Sequence, residues 1–180
     1  AEKASIPFGI NIQFNHISYE WALAYAVKAD FIRVEAFVEN RIGSYGITYA
    51  AAPQLLRKKM QYPSETMIFA DIHSKHTYSM APDMSTELCI KEAISSGADA
   101  LIVTGALTGA NPSLEEVQKF KETAGNVPVI LGSGVNQKNA AAFFELADGA
   151  IIGSAIKRDG NVNLGVDAER LRALVRETRP

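Results

Sequence analysis

Short apolar segments recur along the chain and alternate with amphipathic segments of helical period. Six apolar segments have the unbroken hydrophobicity of strands buried on both faces: residues 7–12, 30–37, 66–73, 98–105, 127–134 and 147–154. Helical patterns separate them, over residues 18–29, 52–60, 85–97, 113–125 and 136–147, several opened by Ser or Asn at an N-cap position. This alternation predicts an α/β domain, residues 1–180, with a parallel sheet and right-handed crossovers.

Polar side chains gather near the C-terminal ends of one strand face. Arg33 and Glu35 share a face of the second segment, and Asp71, His73 and, if the strand continues, Lys75 share a face of the third. A doubly wound open sheet, covered by helices on both sides, has little room for such inward polar groups. A (β/α)8 TIM-type barrel gathers them at its catalytic mouth, so the pattern favours the barrel.

The number of units indicates an incomplete barrel. A barrel of about 250 residues uses roughly 30 residues per strand-helix unit, so six units account for this chain. We number them strands 3–8 and expect strands 1 and 2 to be absent from the sequence. Six parallel strands leave two unpaired edges, which proteins normally cover. Either the sequence lacks its beginning or another chain closes the sheet, and we therefore expect a homo-oligomer.

Composition and charge limit the partners. With 47% apolar residues, a formal net charge of −2 and no basic tract, the sequence argues against nucleic acid or an anionic membrane surface and leaves a small ligand. The lone cysteine, Cys89, lies in a helical apolar stretch, which suits a reducing compartment and an inert core thiol. No apolar run approaches the roughly 20 residues of a membrane span. We expect a cytoplasmic protein.

Two consecutive units end in glycine-rich turns, with Gly132, Ser133 and Gly134 in the first and Gly153 and Ser154 in the second. Glycine allows backbone N–H groups to approach a phosphate closely, and the start of the following helix adds donors. Tight turns that need glycine for backbone geometry alone are the other interpretation. The recurrence in consecutive units favours a phosphate site.

A second cluster of polar residues lies at the C-terminal end of the third apolar segment, residues 66–73. Asp71, His73 and Lys75 at alternate positions could supply an acid/base pair and a cationic clamp or Schiff-base amine. A solvated loop with Asp71 capping the turn would have the same sequence. A divalent metal site from Asp71, His73, His76 and Glu35 is a further alternative, although no dedicated ligand spacing is present. We predict no cofactor.

Other polar positions have two interpretations each. Arg33 and Glu35 form either an ion pair that holds the strands in register or part of the catalytic machinery. Thr104 and Gly105, in the TGALTG segment, form either a substrate loop or a flexible turn. His16 is expected in a helix-start turn.

In order, the segments PFGINI, ADFIRVEAF, IFADIHSKH, ADALIVTGALTG, PVILGSGVNQKN and ADGAIIGSAIKRDG resemble the BtpA/SgcQ family over nearly the whole chain. The resemblance implies a TIM-type barrel with a site for a phosphorylated small molecule. One branch of the family is named for photosystem I biogenesis, and another belongs with sugar-metabolism clusters. The matching site residues are Asn11, Arg33, Glu35, Asp71, His73, Lys75, Thr104, Gly132, Ser133, Gly134, Gly153 and Ser154.

The chain departs from the family at its front, where the GVIHL-like strand and the ENF-like acidic turn have no counterpart. The resemblance thus implies that part of the site lies outside this sequence. We expect a sugar or nucleoside phosphate as ligand and an enzyme of the lyase, isomerase or hydrolase type. Asp71 or Glu35 would act as base, His73 as acid and Lys75 as clamp. The alternative is a non-catalytic assembly or stabilisation factor.

Overall fold

A computed structural model describes residues 5–104 and 112–178. The elements run in chain order β1 (Gly9–Ile10), α1 (Ile17–Val27), β2 (Phe31–Val34), β3 (Arg41–Gly43), β4 (Gly46–Thr48), α2 (Ala52–Gln61), β5 (Met67–Ile72), β6 (Thr77–Ser79), α3 (Thr86–Ser95), β7 (Ala100–Val103), α4 (Leu114–Ala124), β8 (Val129–Leu131), α5 (Ala140–Phe144), β9 (Gly149–Ala150) and α6 (Ala168–Glu177). Two short 3₁₀ turns, Ser154–Ile156 and Arg158–Gly160, precede α6. Each of the six predicted strands is present, although each is shorter than its apolar segment.

The main sheet is parallel and forms a half-barrel. Its strand order is β1-β2-β5-β7-β8-β9, which follows the order of the chain. A doubly wound sheet reverses its strand order at a switch point, and this sheet has no such reversal among the described strands. The prediction of a TIM-type α/β fold is therefore confirmed, with β1 and β9 as the edge strands.

Capping side chains begin two helices where the sequence predicted. The Ser85 hydroxyl accepts a hydrogen bond from the Leu88 amide at 3.1 Å. Ser113 and Glu116 form a reciprocal capping box at the start of α4. Helix α5 begins later than predicted, because Asn136 and Asn139 form a hydrogen-bonded turn before it. Within residues 5–104 and 112–178, no helix combines the length and apolar character needed to cross a membrane.

The outer face of the sheet carries the core. Ile32, Val34, Ile68 and Leu101 are completely buried on this face, and each such side chain contributes about 1.5–3 kcal/mol to folding. Trp21 of α1 is also buried, and its indole N–H donates to the Tyr62 carbonyl at 3.1 Å. These contacts fix the helices on the sheet and leave its inner face for polar groups.

A three-stranded antiparallel sheet, which we call the small sheet, was not predicted. Its strand order is β4-β3-β6. Strand β3 follows β2 and β6 follows β5, so the small sheet lies beyond the C-terminal ends of these two barrel strands. Each of its strands has only three residues, too few for a clear alternation of polar and apolar positions.

Glu20 of α1 is buried against this framework. Its side chain is 1% exposed, and neither carboxylate oxygen has a hydrogen-bond partner of good geometry among the described residues. Burial raises the pKa of Glu20 from 4.5 to about 8; the nearby Ile12 backbone offsets part of the rise, and the Glu35 charge adds to it. The folded state therefore favours the protonated carboxyl group.

We expect stability to fall with rising pH because of Glu20. The favourable contribution of the protonated form is complete below pH 4.5 and is lost as the pH rises through about 8. Replacement by Gln removes this dependence, so Glu20→Gln should be more stable than the wild type by a few kcal/mol, at about 1.4 kcal/mol per pKa unit, at pH 9. Urea unfolding at pH 5 and pH 9 measures the difference. Glu92→Gln, at an exposed position of α3, is the matched control, and equal pH profiles for wild type and Glu20→Gln would refute the expectation.

Candidate functional site

A polar cavity of about 230 Å³ lies between the ends of β2 and β5 and the small sheet. We call it the mouth cavity. Its charged lining includes Arg33, Glu35, Asp71 and Lys75, four of the five residues predicted to carry catalysis. Polar groups on the inner face of the barrel thus meet at the C-terminal ends of the strands, as the alternation along β2 and β5 requires.

Arg33 and Asp71 join two neighbouring strands in this cavity. The Arg33 Nε donates to Asp71 Oδ1 at 2.9 Å, and Nη2 donates to Oδ2 at 2.8 Å. The two parallel bonds are the bidentate geometry that Arg forms with carboxylates. Of the two interpretations of Arg33 and Glu35, an ion pair between neighbouring strands is present, but the Arg33 guanidinium binds Asp71 of the adjacent strand rather than Glu35, which lies beyond the end of β2.

Burial sets the electrostatics of this pair. Asp71 is 5% exposed and also accepts a hydrogen bond from the Ser74 hydroxyl at 3.1 Å. Burial raises the pKa of Asp71, while the hydrogen bond and charge of Arg33 pull it down by less. Burial also disfavours the Arg33 cation, but Asp71 outweighs this and raises the pKa of Arg33. Asp71 is therefore fixed in place by Arg33 and Ser74 rather than open to solvent.

His73 lies apart from the other predicted catalytic residues. Strand β5 ends at Ile72, and His73 adopts a left-handed backbone conformation with φ of 57°. Its Nδ1 lies 3.0 Å from Glu39 Oε1, and its Nε2 lies 3.1 Å from the Thr86 hydroxyl. The expected alignment of Asp71, His73 and Lys75 on one face is wrong, because the alternation of a strand does not continue past Ile72.

The histidine belongs to a buried network that sequence reasoning missed. Glu39 and Arg41 are 7% and 5% exposed and form an ion pair. Arg41 Nε donates to the Thr77 hydroxyl at 2.6 Å, and the Ser79 hydroxyl donates to Glu39 Oε2 at 2.5 Å. The network fastens the small sheet to the end of β5. The only sequence signal for it is a pair of opposite charges two residues apart after an apolar segment.

The pKa of Glu39 reflects these contacts. Burial alone would raise it, but hydrogen bonds from His73 and Ser79 and the charge of Arg41 lower the pKa of Glu39 to about 2. Glu39 is therefore ionised at any ordinary pH.

One group of side chains has the spacing of metal ligands. Within residues 5–104 and 112–178, only Glu39, His73 and Cys89 bring three such ligand atoms within 4.8 Å of one another. Both Glu39 oxygens already accept hydrogen bonds, and the Arg41 cation beside them opposes a second cation. Burial also raises the pKa of the Cys89 thiol to about 11, as expected for a core thiol. These residues fit a hydrogen-bond network better than a metal site.

The metal set considered from the sequence is not assembled. His73 is directed to Glu39 and Thr86, whereas Glu35, Asp71 and His76 line the mouth cavity. The ligand atoms of all four residues therefore do not converge.

The two predicted glycine turns meet at one concave surface. Gly132, Ser133, Gly134, Gly153 and Ser154 line a single cavity of about 490 Å³ at the ends of β8 and β9. We call these five residues the glycine cradle.

Local geometry explains two of the glycines in the glycine cradle, whereas Ser133 has a feature that it does not explain. A side chain at Gly132 would lie 2.2 Å from a Thr104 methyl carbon, so close packing requires glycine there. Gly134 has a φ of 88°, which favours glycine. The Ser133 hydroxyl oxygen, by contrast, is buried and has no hydrogen-bond partner among the described residues. A buried hydroxyl without a partner is unfavourable, so the packing that explains the two glycines does not account for Ser133.

The remaining predicted residues have mainly structural contacts. The Asn11 amide donates to the Arg33 carbonyl at 2.9 Å, which ties β1 to β2. The Thr104 hydroxyl, on a buried residue, donates to the His73 carbonyl at 2.9 Å. His16 is at the N-cap of α1, as expected. Gly105 lies outside the described residues, together with most of the TGALTG segment.

Curated relatives align over nearly the whole chain. An uncharacterized protein of Archaeoglobus fulgidus is 42% identical over 175 residues, covering 97% of this chain and 68% of the relative. One of Methanocaldococcus jannaschii is 38% identical, covering 97% of this chain and 66% of the relative. The photosystem I biogenesis protein BtpA of Synechocystis is 33% identical over 171 residues, covering 94% and 59%. The chain thus spans roughly two thirds of the length of these relatives.

Two solved structures share the fold of this chain, and a family model matches nearly all of it. The fold is similar to orotidine 5'-phosphate decarboxylase of Pyrococcus horikoshii, with a TM-score of 0.63 and 15% identity over 99% of this chain and 77% of that one. It is also similar to phosphoribosyl anthranilate isomerase of Thermococcus kodakaraensis, with a TM-score of 0.61, 18% identity and the same coverage. These likenesses establish the fold alone. The model of the BtpA family matches residues 1–179, and the chain therefore belongs to the BtpA family.

Proposed function

We propose that this BtpA-family chain binds a phosphorylated small metabolite and acts on it by acid/base chemistry. The phosphate occupies the glycine cradle, and the reacting part of the metabolite enters the mouth cavity. The observation that carries the proposal is the buried hydroxyl of Ser133, which lacks a partner in a concave, glycine-lined surface. Two fold neighbours, the decarboxylase and the isomerase, carry phosphorylated compounds in their names, which is consistent with such a ligand.

Phosphate binding follows from the chemistry of the cradle. Glycines let a phosphate approach the backbone closely, and backbone N–H groups in such turns are effective anion donors. A hydrogen bond from the Ser133 hydroxyl to a phosphate oxygen would satisfy the buried group. A hydrogen bond to a charged acceptor contributes about 1.5–3 kcal/mol.

Glu35 is the base in this proposal. It lines the mouth cavity, and one of its oxygens, Oε2, accepts a hydrogen bond from the Phe14 amide at 3.0 Å, which orients the carboxylate. Asp71 is committed to Arg33 and Ser74 and serves to position them. Lys75 lines the same cavity and stabilises negative charge that develops on the substrate. His73 has no part in this step because its ring is bonded to Glu39 and Thr86.

A non-catalytic assembly factor is the second candidate function. The name of the Synechocystis relative favours it, as do exposed apolar side chains on the small sheet, where Ile42, Ile47 and Tyr78 are 44%, 45% and 72% exposed. In this case the small sheet would contact a protein partner, and substitutions in the mouth cavity would leave function unchanged.

The cradle can be tested with ribose 5-phosphate and inorganic phosphate as probes. Ligand binding to the folded state should raise the melting temperature of the full chain, since stabilisation grows as the ligand exceeds its Kd. Ser133→Ala should weaken binding about 10- to 100-fold through loss of one hydrogen bond, and Ser133→Asp should abolish it by charge repulsion. Ser95→Ala, on the exposed surface of α3, is the control. Unchanged melting of the wild type with both probes would contradict the cradle.

The base can be tested by substitution of Glu35. Glu35→Gln should lower turnover by about 10²- to 10⁴-fold while ribose 5-phosphate binding stays within twofold, because the cradle is untouched. Conversion of a panel of sugar phosphates and nucleoside monophosphates, followed by mass spectrometry, is the measurement. Glu115→Gln, exposed on α4, should convert the panel as the wild type does. Equal conversion by Glu35→Gln would refute this role, and no conversion by the wild type would favour the assembly factor.

A further inference from the structure

Two aromatic side chains on the mouth cavity have no part in the proposed acid/base step. Phe14 and Tyr45 both line the cavity, and their ring centroids lie 4.3 Å apart at an interplanar angle of 61°. The two residues are nevertheless 43% and 55% exposed. We call this pair the aromatic wall. Large rings exposed at a charged cavity indicate a surface for ligand contact rather than core packing.

The position of Phe14 is fixed at a conformational cost. Phe14 and Asn15 have φ of 64° and 52°, a left-handed conformation that side-chain-bearing residues rarely adopt. The Phe14 amide donates to Glu35 Oε2, and the Asn15 side chain bonds both the N–H and the carbonyl of Ala36. The side-chain amide of Asn15 also donates to the Tyr49 carbonyl at 3.0 Å. The chain thus holds a hydrophobic ring in a strained turn where the ring remains open to solvent.

The backbone at Tyr45 is positioned by a short hairpin. It lies in the turn between β3 and β4, beside Gly46, whose φ is 97°. The hairpin is anchored by the buried Arg41, which pairs with Glu39 and bonds Thr77. Because the backbone at both positions is anchored and the two rings contact each other, less side-chain entropy is lost when a flat group stacks on them.

The charged residues of the mouth cavity indicate that a ligand bound there also carries polar groups. Arg33, Glu35 and Lys75 line the cavity with the aromatic wall, so an occupant needs an apolar face and polar groups on its edge. A planar heteroaromatic ring has both. A sugar phosphate without an aromatic ring would leave the faces of Phe14 and Tyr45 uncovered.

The distance across the sheet is consistent with a long ligand. Strands β2 and β9 are four positions apart in the half-barrel, and strands four apart in an eight-stranded barrel lie opposite each other. At about 4.8 Å between strands and the usual tilt, the width is roughly 12–15 Å. A phosphate in the glycine cradle and a ring on the aromatic wall would be joined by a pentose-sized linker.

We infer that the ligand is a nucleoside 5'-monophosphate or a closely similar ribosyl phosphate with a planar ring, and that the ring stacks on Phe14 and Tyr45. The phosphate end of this inference rests on the proposed function. The ring end rests on the aromatic wall alone, so the two can fail separately.

Calorimetric titration of the full chain with AMP, UMP, ribose 5-phosphate and adenosine tests the inference. Base-aromatic stacking is worth about 5- to 150-fold in affinity per base, so AMP or UMP should bind at least about tenfold more tightly than ribose 5-phosphate. Tyr45→Ala should remove most of this difference and leave ribose 5-phosphate unchanged. Tyr45→Phe should retain it. Tyr19→Ala, at a tyrosine of α1 that is 73% exposed, is the matched control for folding and surface effects.

The outcomes separate the two ends of the ligand. Equal affinity for the three phosphates, or equal weakening of all of them by Tyr45→Ala, overturns the ring inference while the cradle stands. Adenosine binding that depends on Tyr45, with no gain from phosphate, supports the aromatic wall and overturns the cradle. Failure of all four compounds to bind overturns both.

Discussion

The bidentate pair of Arg33 and Asp71 is the interaction on which the arrangement of the mouth cavity depends. It joins β2 and β5 where these strands end. Ser74 extends the connection, because its hydroxyl oxygen lies 2.6 Å from the Glu35 carbonyl oxygen and 3.1 Å from Asp71 Oδ2, and these two acceptors share its single proton. Glu35 in turn accepts from the Phe14 amide. A cation on one strand thus positions the carboxylate and the aromatic ring on neighbouring loops, and loss of either partner would leave a buried charge uncompensated.

A second ionic network supports the opposite side of the cavity. Glu39 and Arg41 are almost completely buried and bind Thr77, Ser79 and His73. Buried ion pairs often contribute little net stability, but they select one arrangement among several because misplaced charges are costly. Here the selected arrangement holds the small sheet against the barrel and turns His73 away from Asp71. His73, which the sequence predicted as a catalytic acid, therefore takes part in the contacts that hold the small sheet in place.

The candidate site has two parts on different strands of one sheet. The glycine cradle lies at the ends of β8 and β9, and the mouth cavity lies at the ends of β2 and β5. Parallel strands bring both to the same edge, which is where α/β barrels bind ligands. The chain belongs to the BtpA family and spans about two thirds of the length of its relative in Methanocaldococcus jannaschii. The proposed ligand is one that joins the two parts.

The sequence by itself determined the features that depend on local pattern. Unbroken apolar segments predicted the six strands, Ser85 and Ser113 predicted two helix starts, and the glycine turns at 132–134 and 153–154 predicted a shared concave surface. Only the tertiary structure decided which side chains bind each other and which backbone conformations they adopt. Arg33 binds Asp71, 38 residues away, rather than Glu35, two residues away. Phe14 adopts a left-handed conformation that its residue type does not indicate. Propensity and periodicity report on neighbours along the chain, whereas these contacts exist only because distant segments meet and outweigh a local preference.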